Sequence, residues 1–427
     1  MNRNISFLFL FATLVFCATG CQKSNLDEEQ VVCQFCGQTF DSEVECLNHQ
    51  INCDDYEHDG SLDNPMYVPL PEGLYGKVPE IPSAHWMVNM PGNVHLTDLT
   101  IPGLHDAATY SYDGSMTPTY VKDQNLDYKD AWNLGVRAFD MRLGYDDRIF
   151  QGNFEDRCKF YHGDQWAGVE FGVCEMHNFR IDITGHFPTK EQLKNECMIL
   201  ITNDEYHPDG APSKINVFEY FMRLLIERYG KDSFIAYSPD LTMNDCTGKI
   251  ILFTREKEYT GDYSYIGGVP SVPVTYISSF PKNGETDLTV YQYGQIQSKC
   301  NAYVQDTYNI GDNGNPEKKY NAFITGITNH RKYANHLFFN GMNGVQDKPS
   351  WEVCVYMNKK VADDIESFVS GNTELLGMYY GVPLGIVLTD FYGVDKYDHG
   401  IIWDERNFSG VKLAKQLLAH NVYRFLY

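Results

Sequence analysis

From residue 86 onward the chain repeats one pattern: a short apolar run of strand type ends in an ionisable side chain, and helical periodicity often follows. The strand-like runs are Leu99–Ile101, Ala138–Met141, Met198–Thr202, Lys249–Thr254, Phe323–Thr325, Leu337–Phe339 and Leu384–Leu388. Helical spacing marks Val217–Tyr229, Val361–Val369 and Val411–Ala419. Strands alternating with helices predict a parallel sheet, because a parallel neighbour needs a long crossover that a helix supplies. This many over ~330 residues predicts an α/β fold of TIM type, a (β/α) barrel that is distorted or incompletely closed. In such a barrel, chemistry sits where strands end and loops begin.

The chain of 427 residues is long enough for one barrel and one small module, and its 43% apolar content can fill a core. Its formal charge of −23 excludes nucleic acid as a partner, since phosphate binding needs clustered Lys and Arg.

The N-terminus reads as an export signal. Arg3 precedes an apolar run, Ile5 to Cys17, shorter than the ~20 residues that span a bilayer. The run ends in Ala18-Thr19-Gly20-Cys21, which resembles a bacterial lipobox; an ordinary signal peptide with a chance cysteine is the alternative. Residues 1–20 are then a lipoprotein signal peptide and 21–30 a tether from lipidated Cys21. The resemblance implies an exported bacterial lipoprotein held on a membrane, periplasmic or at the cell surface.

Residues 31–54 resemble a small ββα zinc finger. Cys33, Cys36, His49 and Cys53 follow the spacing C-x2-C-x12-H-x3-C, which can close a tetrahedron around a structural zinc. Two disulfides among Cys33, Cys36, Cys46 and Cys53 are the alternative, as an exported chain permits. The module has no catalytic residue and is expected to be a structural or protein-partner-binding knob. Residues 55–85, rich in Asp, Pro and Gly, form a linker, and 86–427 the catalytic barrel. A Cys158–Cys174 bridge is a further candidate.

Five strand ends carry the chemistry. They are Ile101-Pro-Gly-Leu-His105-Asp106, Gly135-Val-Arg-Ala-Phe-Asp140-Met-Arg142, Tyr161-His162-Gly163-Asp164, Thr202-Asn203-Asp204-Glu205 and Leu388-Thr-Asp390. Alternation places Asp140 and Arg142 on one face of their strand. In this order the series resembles the bacterial phosphatidylinositol-specific phospholipase C family with its X-domain motifs I-P-G-x-H-D, G-x-R-x-F-D-x-R and H-G. Gly248 to Arg255, Val304-Gln-Asp306-Thr-Tyr308 and His336 to Gly341 extend the likeness over residues 86–425.

The resemblance implies a phosphodiesterase that cleaves phosphatidylinositol, or its glycosylated anchors, to diacylglycerol and inositol 1,2-cyclic phosphate. It makes His105 the general base, oriented by Asp390, and His162 the general acid, assisted by Asp106. Arg142 would neutralise the phosphoryl oxygens, with Asp140 and Glu205 orienting it. Relatives that use Ca²⁺ place an acid where Arg142 stands, so no catalytic cofactor is expected. Arg255, Asp306 and Tyr308 would hold the inositol ring. The chain departs from the family at Asn203-Asp204, where a lysine is frequent. That departure leaves room for another phospholipid head group, and a catalytically silent binding protein is a third reading. His177, His186 and His207 show no ligand spacing and read as surface or structural residues. The aromatic tract Tyr259–Tyr265 can meet a bilayer interface.

Overall fold

The computed structural model describes residues 81–112, 121–145, 153–163, 174–261, 272–310, 315–333, 335–344, 350–370, 379–395 and 407–426, with seven short strand segments at 21–23, 31–33, 39–40, 165–166, 169–170, 397–398 and 403–404. The chain divides into two compact units, Met1–Tyr56 and Glu57–Tyr427. In the smaller unit Cys21–Lys23, Val31–Cys33 and Thr39–Phe40 form an antiparallel three-stranded sheet. Of the zinc-ligand candidates only the backbone of Cys33 falls in it; Cys36, His49 and Cys53 lie outside the described residues.

The larger unit is a closed barrel of nine strands. They are β1 (Thr100–Leu104), β2 (Ala138–Tyr145), β5 (Cys197–Tyr206), β6 (Lys249–Thr254), β7 (Val274–Ile277), β8 (Gly284–Gln292), β9 (Gln295–Gln305), β10 (Leu337–Gly341) and β11 (Gly385–Thr389), paired in that order with β11 closing on β1. All pair in parallel except β8, which is antiparallel to both neighbours. The expected barrel is therefore present, and its distortion has a local cause. A two-residue turn, Tyr293-Gly294, holds both residues at positive φ (54° and 69°) and folds β8 directly onto β9. This hairpin takes the place of a helical crossover. The barrel is fully closed, so the expected incomplete closure is not found.

Helices α1 (Lys214–Tyr229), α2 (Pro316–His330), α3 (Ser350–Val369) and α4 (Gly410–Leu426) pack outside the strands or on one another. In α1, Val217, Phe218, Phe221, Leu224 and Leu225 recur at helical spacing and are all buried. The predicted strand Phe323–Thr325 lies inside α2. Asn315 caps that helix and Pro316 opens it, and Phe323 and Ile327 share its buried face. The strand expected over Leu99–Ile101 runs on through Pro102 and Gly103, which lie within β1.

Strands β3 (Cys158–His162) and β4 (Cys174–Asn178) form a hairpin added to β2. On that edge β1 pairs only with Ala138 and Phe139, which leaves residues 143–145 to pair with β3. His162 thereby stands beyond the C-terminal end of β1. The Cys158–Cys174 bridge does not form: Cys158 is a buried free thiol, and Cys174 pairs with His162 at the other end of β3. Four strand residues, about 13 Å, separate the two levels, twice the reach of a disulfide. Tyr259 is buried and stacked on Phe218 at 4.2 Å, so it belongs to the core. Residues 262–265 of that tract lie outside the described residues.

Candidate active site

The C-terminal ends of the barrel strands gather the predicted residues into one cluster. His105 follows β1 directly, and its backbone N–H donates to Thr389 O at the end of β11. Gln124 bonds both His105 O and Thr389 O, at 2.8 and 2.7 Å, and so locks the two strand ends together. Asp390 then lies beside His105, whose Nδ1–H donates to Asp390 Oδ1 at 2.9 Å. Asp106 and Phe391 both adopt left-handed backbone, φ 44° and 50°. Such a conformation costs a non-glycine residue about 1–2 kcal/mol and is held here by surrounding bonds, Asp106 N to Asp140 Oδ2 and Phe391 N to Asp123 O.

Arg142 occupies the centre. Its Nε contacts Asp106 Oδ1 and lies 3.4 Å from Asp140 Oδ2, its Nη1 donates to Glu205 Oε1 at 3.1 Å, and its Nη2 donates to His105 Nε2 at 2.8 Å. A guanidinium has no acceptor, so the last contact fixes His105 as the neutral Nδ1–H tautomer with Nε2 basic. Burial lowers the pKa of His105, but Asp106 and Asp390 outweigh it and raise the value to about 10. Asp106 and Asp390 thus make His105 a strong base, and the Arg142 charge that faces its Nε2 opposes protonation there.

His162 Nε2 lies 3.3 Å from Asp106 Oδ2 and 3.5 Å from Asp123 Oδ2. Burial lowers its pKa, while Asp106 and Asp123 raise it on balance to about 8. Near neutral pH it therefore holds a proton it can give away. Burial raises the carboxyl of Asp106 to about 7 and that of Asp390 to about 6 against the pull of the neighbouring cations. Asp140 and Glu205 are held below the usual range, because Arg142 more than offsets the effect of their burial. Asp390 Oδ2 has no hydrogen-bond partner among the described residues.

Arg255 follows β6, rests on the Phe280 ring at 4.7 Å and helps depress the pKa of Asp140. Asp306 follows β9, where its N–H bonds Pro281 O and Lys282 O. Tyr308 is 43% exposed, and its phenol pKa, raised chiefly by burial, also responds to Arg142, Asp123, Asp106 and Asp390. It therefore overhangs the cluster. Asn203 Nδ2 bonds Glu205 Oε2 at 3.3 Å, whereas Asp204 turns away to Lys214 Nζ at 2.8 Å. Only Asn203 thus replaces the expected positive charge on the site face.

One residue of the cluster escaped the sequence. Asp123 Oδ2 lies 3.7 Å from His105 Nδ1 and 3.5 Å from His162 Nε2, so it touches both imidazoles. Its loop is placed by Thr109 Oγ1, which accepts from Asp123 N and Gln124 N. No motif announces it, since its partners are distant in sequence.

No family model matches the chain. The 1-phosphatidylinositol phosphodiesterase of Staphylococcus aureus (strain Newman) is 24% identical over 174 residues, 40% of this chain and 50% of that protein. The 1-phosphatidylinositol phosphodiesterase of Listeria monocytogenes serovar 1/2a is 27% identical over 186 residues, 41% of this chain and 50% of that protein. The chain spans about half the length of these curated relatives. Among solved structures, a variant of the phosphatidylinositol-specific phospholipase C from S. aureus superposes with a TM-score of 0.53 at 18% identity, covering 78% of this chain and 96% of that one. The two share the barrel fold.

Proposed function

We propose that the barrel is a phosphatidylinositol-specific phospholipase C-like phosphodiesterase working by histidine acid–base catalysis. The observation that carries the reading is the placement of two imidazoles around one guanidinium: His105 with a basic Nε2, His162 with an acidic Nε2–H, and Arg142 between the carboxylates. The inositol 2-hydroxyl gives its proton to His105 as its oxygen bonds to phosphorus. The phosphorus–oxygen bond to diacylglycerol breaks, and His162 protonates the departing oxygen. Diacylglycerol and inositol 1,2-cyclic phosphate result, and the same pair run with water can open the ring. Arg142 meets the charge on the phosphoryl oxygens, which is where a fixed cation lowers the barrier most.

Catalysis is proposed to need no metal, because the Arg142 guanidinium fills the space between Asp106, Asp140 and Glu205 where an ion would be bound. Arg255, Asp306 and Tyr308 are proposed to grip the inositol of free phosphatidylinositol or of a glycosylated anchor. Asn203 favours a second reading, a different phospholipid head group, because it removes a positive charge from the site face. Lipidated Cys21 is proposed to hold the enzyme at the membrane outside the cytoplasm, so Cys21→Ser should move it from the membrane fraction into solution. The module around Cys33, Cys36, His49 and Cys53 is proposed to be zinc-bound or disulfide-linked and to serve contacts with a protein partner.

The test is release of inositol 1,2-cyclic phosphate from phosphatidylinositol vesicles, with and without a chelator. Wild type should be active in both, and His105→Ala and His162→Ala should each lose about 10²–10⁴-fold. Activity surviving both substitutions would overturn the mechanism. Loss to the chelator with rescue by Ca²⁺ would overturn its metal independence.

A further inference from the structure

Away from the cluster at Arg142, the structure brings together His177, Asp182 and His186. They come from β4 and from the turn that follows it. His177 lies on β4, and Asp182–His186 forms one π-helical turn, a rare geometry that is enriched at functional sites. The ligating atoms of the three side chains all lie within 4.8 Å of one another. His177 Nδ1 is 2.9 Å from Asp182 Oδ1. Asp182 is fully buried and fixed by two phenols, Tyr110 OH at 2.8 Å and Tyr128 OH at 3.1 Å. The imidazoles are about one-third exposed, 37% for His177 and 35% for His186. A rigid buried carboxylate thus meets two histidines that open to solvent.

We propose that His177, Asp182 and His186 form a binding site for a divalent cation of the zinc class, with Asp127 supporting it from behind. Two imidazoles and one carboxylate are a zinc donor set, which leaves a fourth position open to water. Tetrahedral zinc with bonds of about 2.0–2.1 Å sets its ligands roughly 3.3 Å apart. The accessible histidines need only small side-chain rotations to reach that spacing. His186 Nδ1 already donates to Asp127 Oδ2 at 2.8 Å, which leaves Nε2 to bind the ion. A carboxylate behind a ligating imidazole is the outer-shell arrangement that orients metal-binding histidines. Asp127 and Asp182 together offer the cation two negative charges.

The site has a mechanical consequence. The N–H of His177 donates to Ser111 Oγ at 3.1 Å, and Tyr110 is ringed by Tyr128, His177 and His186 at 5.3, 5.9 and 5.6 Å. An ion here fixes the end of β4, which pairs with the His162 strand, and so the Ser111 and Tyr110 contacts that join it to the turn following His105-Asp106. It braces the two segments that carry the imidazole pair without touching either ring. The proposal does not depend on the reaction assigned to those rings.

The experiment uses the full chain, stripped with chelator, dialysed against ZnCl2 and analysed for bound metal. Wild type should hold one equivalent more than His177→Ala/His186→Ala; metal on the Cys33–Cys53 module is common to both and cancels. ZnCl2 should raise the Tm of wild type by several degrees more than that of the double variant. If the double variant fails to fold, the solvent-facing His186→Gln alone takes its place. Asp127→Asn should weaken binding about 10–100-fold, as loss of an outer-shell partner does. Co²⁺ at this site should lack thiolate charge-transfer absorption. Equal stoichiometry and equal Tm shifts in wild type and variant would overturn the proposal.

Discussion

One arginine stands just before strand β2 and another within it, and the two have opposite surroundings. Arg137, just before the strand, is fully buried and completely paired. Its Nε and Nη2 each lie 2.8 Å from Glu196 Oε2, its Nη1 donates to Trp132 O and Val136 O, and Trp132 stacks beneath it at 3.9 Å. Glu196 in turn accepts from Met87 N and Val88 N, pinning the incoming chain to the closed end of the barrel. Arg142, five residues on, is half-buried among three carboxylates and one basic imidazole nitrogen. At one end every bond is used to hold the chain. At the other, charges are held ready for a group that has yet to arrive. Two arginines five residues apart thus differ in role, one structural and the other the proposed catalytic cation, according to what surrounds them.

Exchanging the two roles should fail in opposite ways. Arg142→Ala should lower kcat about 10²–10³-fold, the cost of losing one preorganised charge partner, while Tm stays level or rises. Arg142→Lys should recover only part of this, because an ammonium cannot serve Asp106, Glu205 and His105 at once. Turnover assays beside thermal melts check both, and a large fall in Tm with unchanged kcat would reverse the assignment. Arg137→Ala should instead cost about 3–5 kcal/mol of stability, since it strands buried Glu196. Its folded fraction should retain kcat, as denaturant melts and active-site titration can show.

The closed end and the open end were not equally legible in the sequence. The strand-end positions of His105, Arg142, Glu205 and Asp390 could be read because each follows an apolar run whose direction a parallel barrel fixes. Strand β8 could not, since it alternates exposed and buried residues and lacks a helix after it. Phe323–Thr325 was mistaken for a strand because three apolar or β-branched residues look alike in both periods. The position of Asp123 and the meeting of His177 with His186 were not legible for one reason: their contacts are set by chain crossings and by a π-helical turn. Periodicity encodes neither.

Asp390→Asn sharpens the comparison within the open end. The Asp390 carboxylate raises the pKa of His105, so removing its charge lowers that pKa. Because the base is raised to about 10 and the acid only to about 8, the descending limb of the kcat/KM–pH profile follows the base, so that limb should move to lower pH. Turnover should still fall, on the order of 10²-fold, because the imidazole loses its orientation. A descending limb that stays in place would show that Asp390 does not govern His105.

The smallest effect belongs to Asp123, which faces both imidazoles. Its hydrogen bond and charge raise the pKa of His162 together with Asp106, against the effects of burial and Arg142. Asp123→Asn removes the charge and keeps an oxygen, so the proton on His162 should be held less tightly. The ascending limb, which follows the acid because His162 lies below His105, should then move to lower pH. Because Asp106 lies closer to His162 Nε2, at 3.3 Å against 3.5 Å, the fall in kcat at the optimum should be no more than about tenfold. Asp123→Ala also frees the loop that packs against Phe391, so it should lose stability that the asparagine variant keeps. If both variants shift the profile alike but only alanine lowers Tm, the charge tunes the acid and the side chain's contacts hold the loop.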